Sequence, residues 1–325
     1  LNPWAFKTGA FNRSAISPLN FVKKFRICDS LIKSMKKILI TGATGFIGSN
    51  VLLNLKDDFK IYLLIRKKFR KKRINFKKKN IKIINFKNYD QLNLKIKKIN
   101  ADIVIHCATH YVKKHKDKDI FKIFDSNIVF GNKILENLEN MNVKKFINFT
   151  TVWENYNGQK GHSLNLYSTS KQIFRKFVDY YQNNKKKIKF YNFFISDTFG
   201  RNDTRKKLIN LLKNNYSKNK TTKIISKNLY INLLNVKDIV KAVNLIIYKK
   251  INSGNYVLKN EFDFDLKKIV LKINHNNKKK IKVNWASSKI IKEKIYEYKK
   301  LPYWKPQFSS LDYLTNFITK TQPKI

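Results

Sequence analysis

The sequence predicts an α/β protein, a doubly wound parallel sheet. Three observations carry that expectation. An apolar strand at 37–41 runs straight into Gly42-Ala43-Thr44-Gly45-Phe46-Ile47-Gly48, and the glycines give way to a helical pattern, "SNVLLNL". Short apolar runs then alternate with helical patterns as far as residue 151, as when crossover helices join parallel strands. Hydrophobic residues make up 42% of the 325-residue chain, enough to bury a full core and to exclude wholesale disorder.

Between the first strand and its helix, the three glycines serve distinct ends. The first permits the tight turn, the second lets a pyrophosphate approach the backbone, and the third lets the helix pack closely on the strand. The ligand then sits on the positive end of the helix dipole. A strand before and a helix after are the context this motif requires. The next strand, "KIYLLIR" (60–66), ends on Arg66. A binder of a ribose 2′-hydroxyl normally offers Asp or Glu about 20 residues beyond the glycines. Here Lys67 and Lys68 follow Arg66, and no acid occurs until Asp90. A cation suits the extra phosphate of NADP, so NADP(H) is the preferred cofactor and NAD(H) the alternative. The plainer reading is an Arg66 that merely opens the solvated basic stretch 66–79. Further on, "IKIINF" (81–86) reads as strand, 90–99 as a weak helix, 101–109 as a buried strand, 119–141 as one long helix and 144–151 as strand.

A loop, 152–165, leads to a helix beginning near Leu166 that carries Tyr167 and Lys171 as "YSTSK". Positions i and i+4 share a helix face, so both side chains can reach one ligand. A free tyrosine, with a pKa of about 10, is a poor acid or base at neutral pH. A neighbouring ammonium favours the phenolate and draws the pKa towards the working range. Thr150 and Thr151, at the end of the preceding strand, offer a hydroxyl for the same reacting oxygen.

Together, Gly42-x-x-Gly45-x-x-Gly48, "DIVIHCAT", Asn127, the threonine pair and Tyr167-x-x-x-Lys171 resemble the extended short-chain dehydrogenase/reductase family, the NAD(P)-dependent sugar-nucleotide epimerases, dehydratases and reductases. The resemblance runs from residue 36 to about 318. "NLYSTSKQIF" and "DTFGRNDTRKKLI" look most like the branch of CDP-abequose and CDP-paratose synthases, which reduce a 4-keto sugar nucleotide. It implies a Rossmann-type sheet from 35–200 and 228–256, with 201–227 and 257–325 binding the sugar nucleotide. Tyr167 would be the catalytic acid/base. Lys171 would lower its pKa and bind the nicotinamide ribose, Thr151 would be the hydroxyl partner, and Asn127 would support the lysine. Gly42, Thr44, Gly45, Phe46, Ile47, Gly48, Arg66 and Ala108 would hold the cofactor. A homodimer is the expected assembly.

Departures from the family pattern narrow the chemistry. Dehydratases typically carry Thr-Asp-Glu where this chain has Thr151-Val152-Trp153-Glu154, and Val152 can neither give nor take a proton. Asp197 stands where many epimerases have Asn, which marks it as substrate-facing in a reductase; a turn residue bonding local backbone is the plainer reading. Arg201 and Arg205 suit the fork geometry of a sugar-nucleotide diphosphate. The expected reaction is therefore NADP(H)-dependent reduction of the 4-keto group of a nucleotide-linked deoxysugar. A 4-epimerase using the same cofactor is the alternative.

The net charge of +49 first suggests a nucleic-acid binder on the same fold. Yet 62 of the 70 basic residues are Lys and there are 40 Asn, a bias that points to composition rather than to a polyanion site, and nucleic acid is not the expected partner. Residues 1–34 are expected to lie outside the fold, as a targeting segment or upstream extension, because Met35 directly precedes "KKILITGATGFIGS". Two cysteines, Cys28 and Cys107, make no disulfide framework, and no apolar run reaches a membrane span, which together suit a cytoplasmic protein. His106 reads as a core histidine, and the spacing of His110, His115 and His162 suggests no metal. Asp238 reads as a helix N-cap, and Trp304 and Pro306 as structural.

Overall fold

The computed structural model describes residues 35–66 and 80–320. The expected extension 1–34, the lysines after Arg66 (within 67–79) and residues 321–325 lie outside the described residues. In chain order the first half comprises β1 (Lys37–Thr41), α1 (Phe46–Asn54), β2 (Lys60–Arg66), β3 (Ile81–Phe86), α2 (Tyr89–Ile96) and β4 (Ile103–His106). It continues through α3 (Asp117–Phe124), α4 (Phe130–Glu136), β5 (Lys145–Thr151), α5 (Leu166–Asn184) and β6 (Lys189–Ile195).

The main sheet has eight strands, with β3, β2, β1, β4, β5 and β6 adjacent in that order, and its pairs are parallel. Side chains alternate between the two faces of a strand. In β1, Ile38 and Ile40 enter one core with Ile61, Leu63 and Tyr191, while Leu39 enters another with Leu64, Phe146 and Phe190. Helices cover both faces, which is why the strands read as nearly unbroken apolar runs. The order reverses between β1 and β4, the crevice where such sheets bind ligands at their carboxyl ends.

Two glycines shape that crevice. Gly42 has φ +67°, and a Cβ there would lie 2.5 Å from the Ala108 nitrogen. A Cβ on Gly48 would lie 2.3 Å from the Gly42 carbonyl oxygen. The long helix expected over 119–141 is interrupted by a π-helical turn, Asp125–Val129, between α3 and α4. Such turns cluster at functional sites because the extra residue redirects side chains; here Asn127 is fully buried.

The second half supplies β7 (Asp197–Phe199), α6 (Leu208–Ser217), β8 (Thr222–Ile224), β9 (Leu229–Ile231), β10 (Leu233–Asn235) and α7 (Val236–Tyr248). After β11 (Gly254–Leu258) come β12 (Phe264–Asp265), α8 (Leu266–Asn276), β13 (Val283–Trp285), β14 (Ile291–Lys292), β15 (Lys299–Lys300) and α9 (Leu311–Thr319). Strands β11 and β15 extend the main sheet beyond β6. Helices α6, α8 and α9 bring Leu212, Leu266, Ile269 and Leu314 into a separate core with Phe199.

Asp238 is not the N-cap of α7. Asn235 caps it, accepting from the Lys237 N–H at 2.9 Å. Asp238 instead lies fully buried, its carboxylate accepting the N–H groups of Gln307 (2.7 Å) and Phe308 (3.1 Å) and the Ser309 hydroxyl (2.6 Å). The Trp304 indole donates to the Asp238 carbonyl at 2.9 Å, so segment 304–309 is strapped to α7. Asp238→Ala leaves several buried donors without an acceptor and lowers stability by roughly 2–4 kcal/mol, read as a lower urea midpoint with an unchanged slope.

Candidate active site

A cavity of about 1170 Å³ opens over the carboxyl ends of β1, β4 and β5. Its cofactor end is lined by Gly42, Thr44, Gly45, Phe46 and Ile47, with Ala108 opposite. Gly48 lies behind the loop, buried where α1 meets it. Gly45 is the N-cap of α1, and no side chain occupies the cap position, so first-turn N–H groups remain for an anion. Bare peptide, close packing that admits no Cβ and a helix N-terminus are the donor set a dinucleotide diphosphate needs, and the site fits that group.

Arg66 lines the same end but is already engaged. Its guanidinium pairs with Asp125 from the π turn, donates to the Tyr89 hydroxyl at 2.8 Å, and lies 5.2 Å from the Phe130 ring centre. Burial and the Asp125 hydrogen bond push the Tyr89 phenol up to about 12. Asp125 was invisible in the sequence, since only the return of the chain past β2 brings it to Arg66.

Further along the cavity, Tyr167 and Lys171 both project from α5 into it with Thr150 and Thr151. Helix α5 starts where the sequence predicts, capped by Asn165, which accepts the Ser168 N–H at 2.9 Å. Burial pushes the Tyr167 phenol well above its ordinary range, with Arg205 and a hydrogen bond to Thr109 drawing it partly back. That differs from the expectation of a pKa lowered by Lys171, because removal of water outweighs the neighbouring charges. The same burial pulls Lys171, 2% exposed, down to about 8, against the opposing charge of Glu154. Asn127 does not reach Lys171 through a direct hydrogen bond. Its amide donates to Ser170 Oγ at 2.9 Å, and its oxygen accepts the His110 N–H at 2.6 Å and the Thr109 hydroxyl at 3.1 Å. It thus steadies the residue that touches Tyr167.

The threonines differ in their partners. The Thr150 hydroxyl bonds to Glu154 Oε1. Thr151 Oγ1 accepts the Trp153 N–H at 3.3 Å, which leaves its own proton free. Glu154 is fully buried, and burial raises its carboxyl to about 7.

On the far wall, Asp197 faces the cavity and is ion-paired with Lys207. The Lys207 ammonium lies 5.3 Å from the ring centres of both Tyr111 and Trp153. Arg205 also lines the cavity, 4.2 Å over the Phe46 ring, and is held by Asp203 at 2.7 Å and Thr198 Oγ1 at 2.8 Å. Arg201 is exposed and outside the cavity lining, so the expected arginine pair does not form. The segment 201–207 is a turn in which Asn202 takes a positive φ, and α6 begins only at Leu208. Lys207, not Arg201, is the second cation lining this wall beside Arg205.

His106 is a core residue, its Nδ1 2.9 Å from the Thr41 hydroxyl, and burial takes it down to about 3. Among the described residues no group of three or more His, Cys, Asp or Glu side chains is placed to hold a metal. No described helix is long and apolar enough to cross a membrane.

Comparisons agree with this geometry. CDP-abequose synthase of Yersinia pseudotuberculosis is 26% identical over 222 residues, spanning 68% of this chain and 75% of the relative. dTDP-D-glucose 4,6-dehydratase of Dictyostelium discoideum is 32% identical over 155 residues, 43% of this chain and 36% of the relative. The solved UDP-N-acetylglucosamine 4-epimerase of Methanobrevibacter ruminantium M1 superposes with a TM-score of 0.71 at 16% identity, covering 87% of this chain and 97% of that one. dTDP-glucose 4,6-dehydratase from Bacillus anthracis in complex with NAD gives 0.71 at 17% identity, covering 87% and 95%. The model of the NAD dependent epimerase/dehydratase family matches residues 38–258, so this chain is an enzyme of that family, whose members are sugar-nucleotide epimerases, dehydratases and reductases.

Proposed function

We propose that the protein reduces the 4-keto group of a nucleotide-linked deoxysugar, with NADP(H) preferred and NAD(H) accepted. The observation that carries this is one cavity lined by the glycine loop, Thr151, Tyr167 and Lys171, with apolar Val152 where a dehydratase has its acid. The likeness to CDP-abequose synthases supports the same class of reaction.

When bound, the dinucleotide supplies the hydride for the keto carbon. The chain's own residues handle the proton. Tyr167, kept protonated by burial, starts in the form that a reduction consumes and an oxidation does not. The Lys171 ammonium offsets the charge left when that proton moves to the sugar oxygen. Thr151 is the second donor to that oxygen, because its proton is free while that of Thr150 is directed to Glu154. Arg205 and Lys207 meet the diphosphate, and residues 201–227 and 257–325 hold the sugar nucleotide. Arg66 uses two of its five donors on Asp125 and Tyr89, leaving others for a 2′-phosphate while Asp125 cancels much of its charge.

Tyr167→Phe lowers kcat by about 10²–10⁴-fold with NADPH binding retained; turnover at the wild-type rate would sink the mechanism. Across a panel of CDP-, dTDP-, GDP- and UDP-linked keto sugars, the cognate substrate oxidises one NADPH per sugar reduced, whereas a 4-epimerase shows no net consumption. Asp125→Asn frees Arg66 and tightens NADPH relative to NADH by about tenfold, the effect of roughly 1.4 kcal/mol, in a fluorescence titration.

A further inference from the structure

Glu154 is a buried carboxylate that does not line the cavity, yet it contacts two of the elements that build it. It lies in the 3-10 segment Val152–Gly158 that follows β5. Its Oε1 bonds the Thr150 hydroxyl, and its Oε2 accepts from Arg175 Nε at 2.8 Å. Arg175 is four residues beyond Lys171 and eight beyond Tyr167, on the same face of α5. The backbone carbonyl of Glu154 also accepts from Gln172 Nε2 at 3.4 Å. Arg175 is steadied from the other side by Asp179 at 2.8 Å and lies 5.7 Å over Phe194, the register partner of Thr150 on β6. A carboxylate in this setting is costly unless its bonds achieve something a hydrophobic side chain cannot.

We propose that Glu154 is a positioning residue: by joining Thr150 to Arg175 it locks the end of β5 to the helix that carries Tyr167 and Lys171. The proposal rests on the reductase reading of the same cavity. It gives Thr150 a fixed hydrogen-bond direction, so that Thr151 alone presents a free hydroxyl proton to the substrate oxygen. It also places one negative charge near the buried Lys171. The titratable and charged groups around Glu154 are Arg175, Lys171 and Asp179 on α5, with Tyr167 and, from the C-terminal segment, Tyr298; Lys171 is also faced by His106 and Cys107 from the end of β4. Lys171, at about 8, is charged below that pH and loses its charge above it, and Glu154 is the first of the groups that hold it up. Removing the carboxylate therefore moves the loss of the Lys171 charge to lower pH.

The test compares wild type, Glu154→Gln and Glu154→Asp in two measurements as a function of pH. One is kcat and KM for keto-sugar-dependent NADPH oxidation; the other is NADPH affinity by fluorescence titration, since Lys171 is the proposed ribose ligand. For Glu154→Gln we expect kcat to fall about tenfold or more with a smaller change in KM, and the alkaline limb of both profiles to move about one unit to lower pH. Glu154→Asp keeps the charge but shortens the reach, so kcat falls while the alkaline limb stays in place; it decides the question if the Gln variant does not fold. A wild-type kcat in either variant, or a Gln variant that loses thermal stability with both alkaline limbs unmoved, overturns the proposal. If no keto sugar oxidises NADPH, the reductase reading fails instead, and the binding limb still reports on Glu154.

Discussion

The close approach of backbones at Gly42 constrains the rest of this site. The loop is pressed between β1 and the end of β4, with no room for a Cβ on Gly42 or Gly48. The floor of the cavity is therefore peptide, and its anion-binding groups are N–H dipoles and a helix end rather than side chains. The same packing orders the end of β4. Thr41 bonds His106 at 2.9 Å and accepts the Ala108 N–H at 3.3 Å, so the chain leaves the sheet in a defined direction. The next residue, Thr109, lies between Asn127 and Tyr167. The glycine-loop floor and the Tyr167 phenol are thus set by one packing contact.

Charge in the cavity is organised differently from charge in the chain. There are 70 basic residues against 21 acids, so most of the cations cannot be matched one-to-one with an acid. Around the cavity, however, Arg66 is paired with Asp125, Arg205 with Asp203, Lys207 with Asp197 and, behind it, Arg175 with Glu154. Each pair holds a long side chain in one place, which a lone surface lysine cannot do without losing rotamer freedom on binding. Pairing also reduces the general attraction for polyanions that the net charge would create. The cations around the cavity are held in place by acids, the scarcer residue in this sequence.

What the sequence revealed follows from how local its causes are. Strand β1, its glycine loop, β5 and the start of α5 depend on periodicity, glycine conformation and a capping Asn, all contained within a few residues. The features that escaped depend on distant partners. Asp125 meets Arg66 from 59 residues away, Asp238 holds Phe308 from 70 away, and Asn127 bonds Ser170 across 43. Asp238 looked like a cap because it precedes an apolar helix, but Asn235 had already taken that place. Arg201 looked like half of an arginine pair because composition hides Lys207 among so many lysines. Glu154 was visible beside Val152 and Trp153, although nothing local says what it binds.

Burial has opposite effects on the two residues at the centre of the proposed chemistry, and that asymmetry is informative. It raises Tyr167, an acid whose charged form is the anion, and lowers Lys171, a base whose charged form is the cation. Both shifts favour the uncharged pair, so a dry site alone would hold a neutral phenol beside a neutral amine. A reductase needs the first and not the second: the phenol must keep its proton until the sugar oxygen takes it, while the lysine must be charged when the phenolate appears. Uniform desolvation cannot meet both demands. A carboxylate on the lysine's side of the helix can, once it ionises at about pH 7, because it raises Lys171 and leaves Tyr167 protonated or more so. Glu154 opposes the shift of Lys171 and adds to that of Tyr167, the combination the proposed reduction requires.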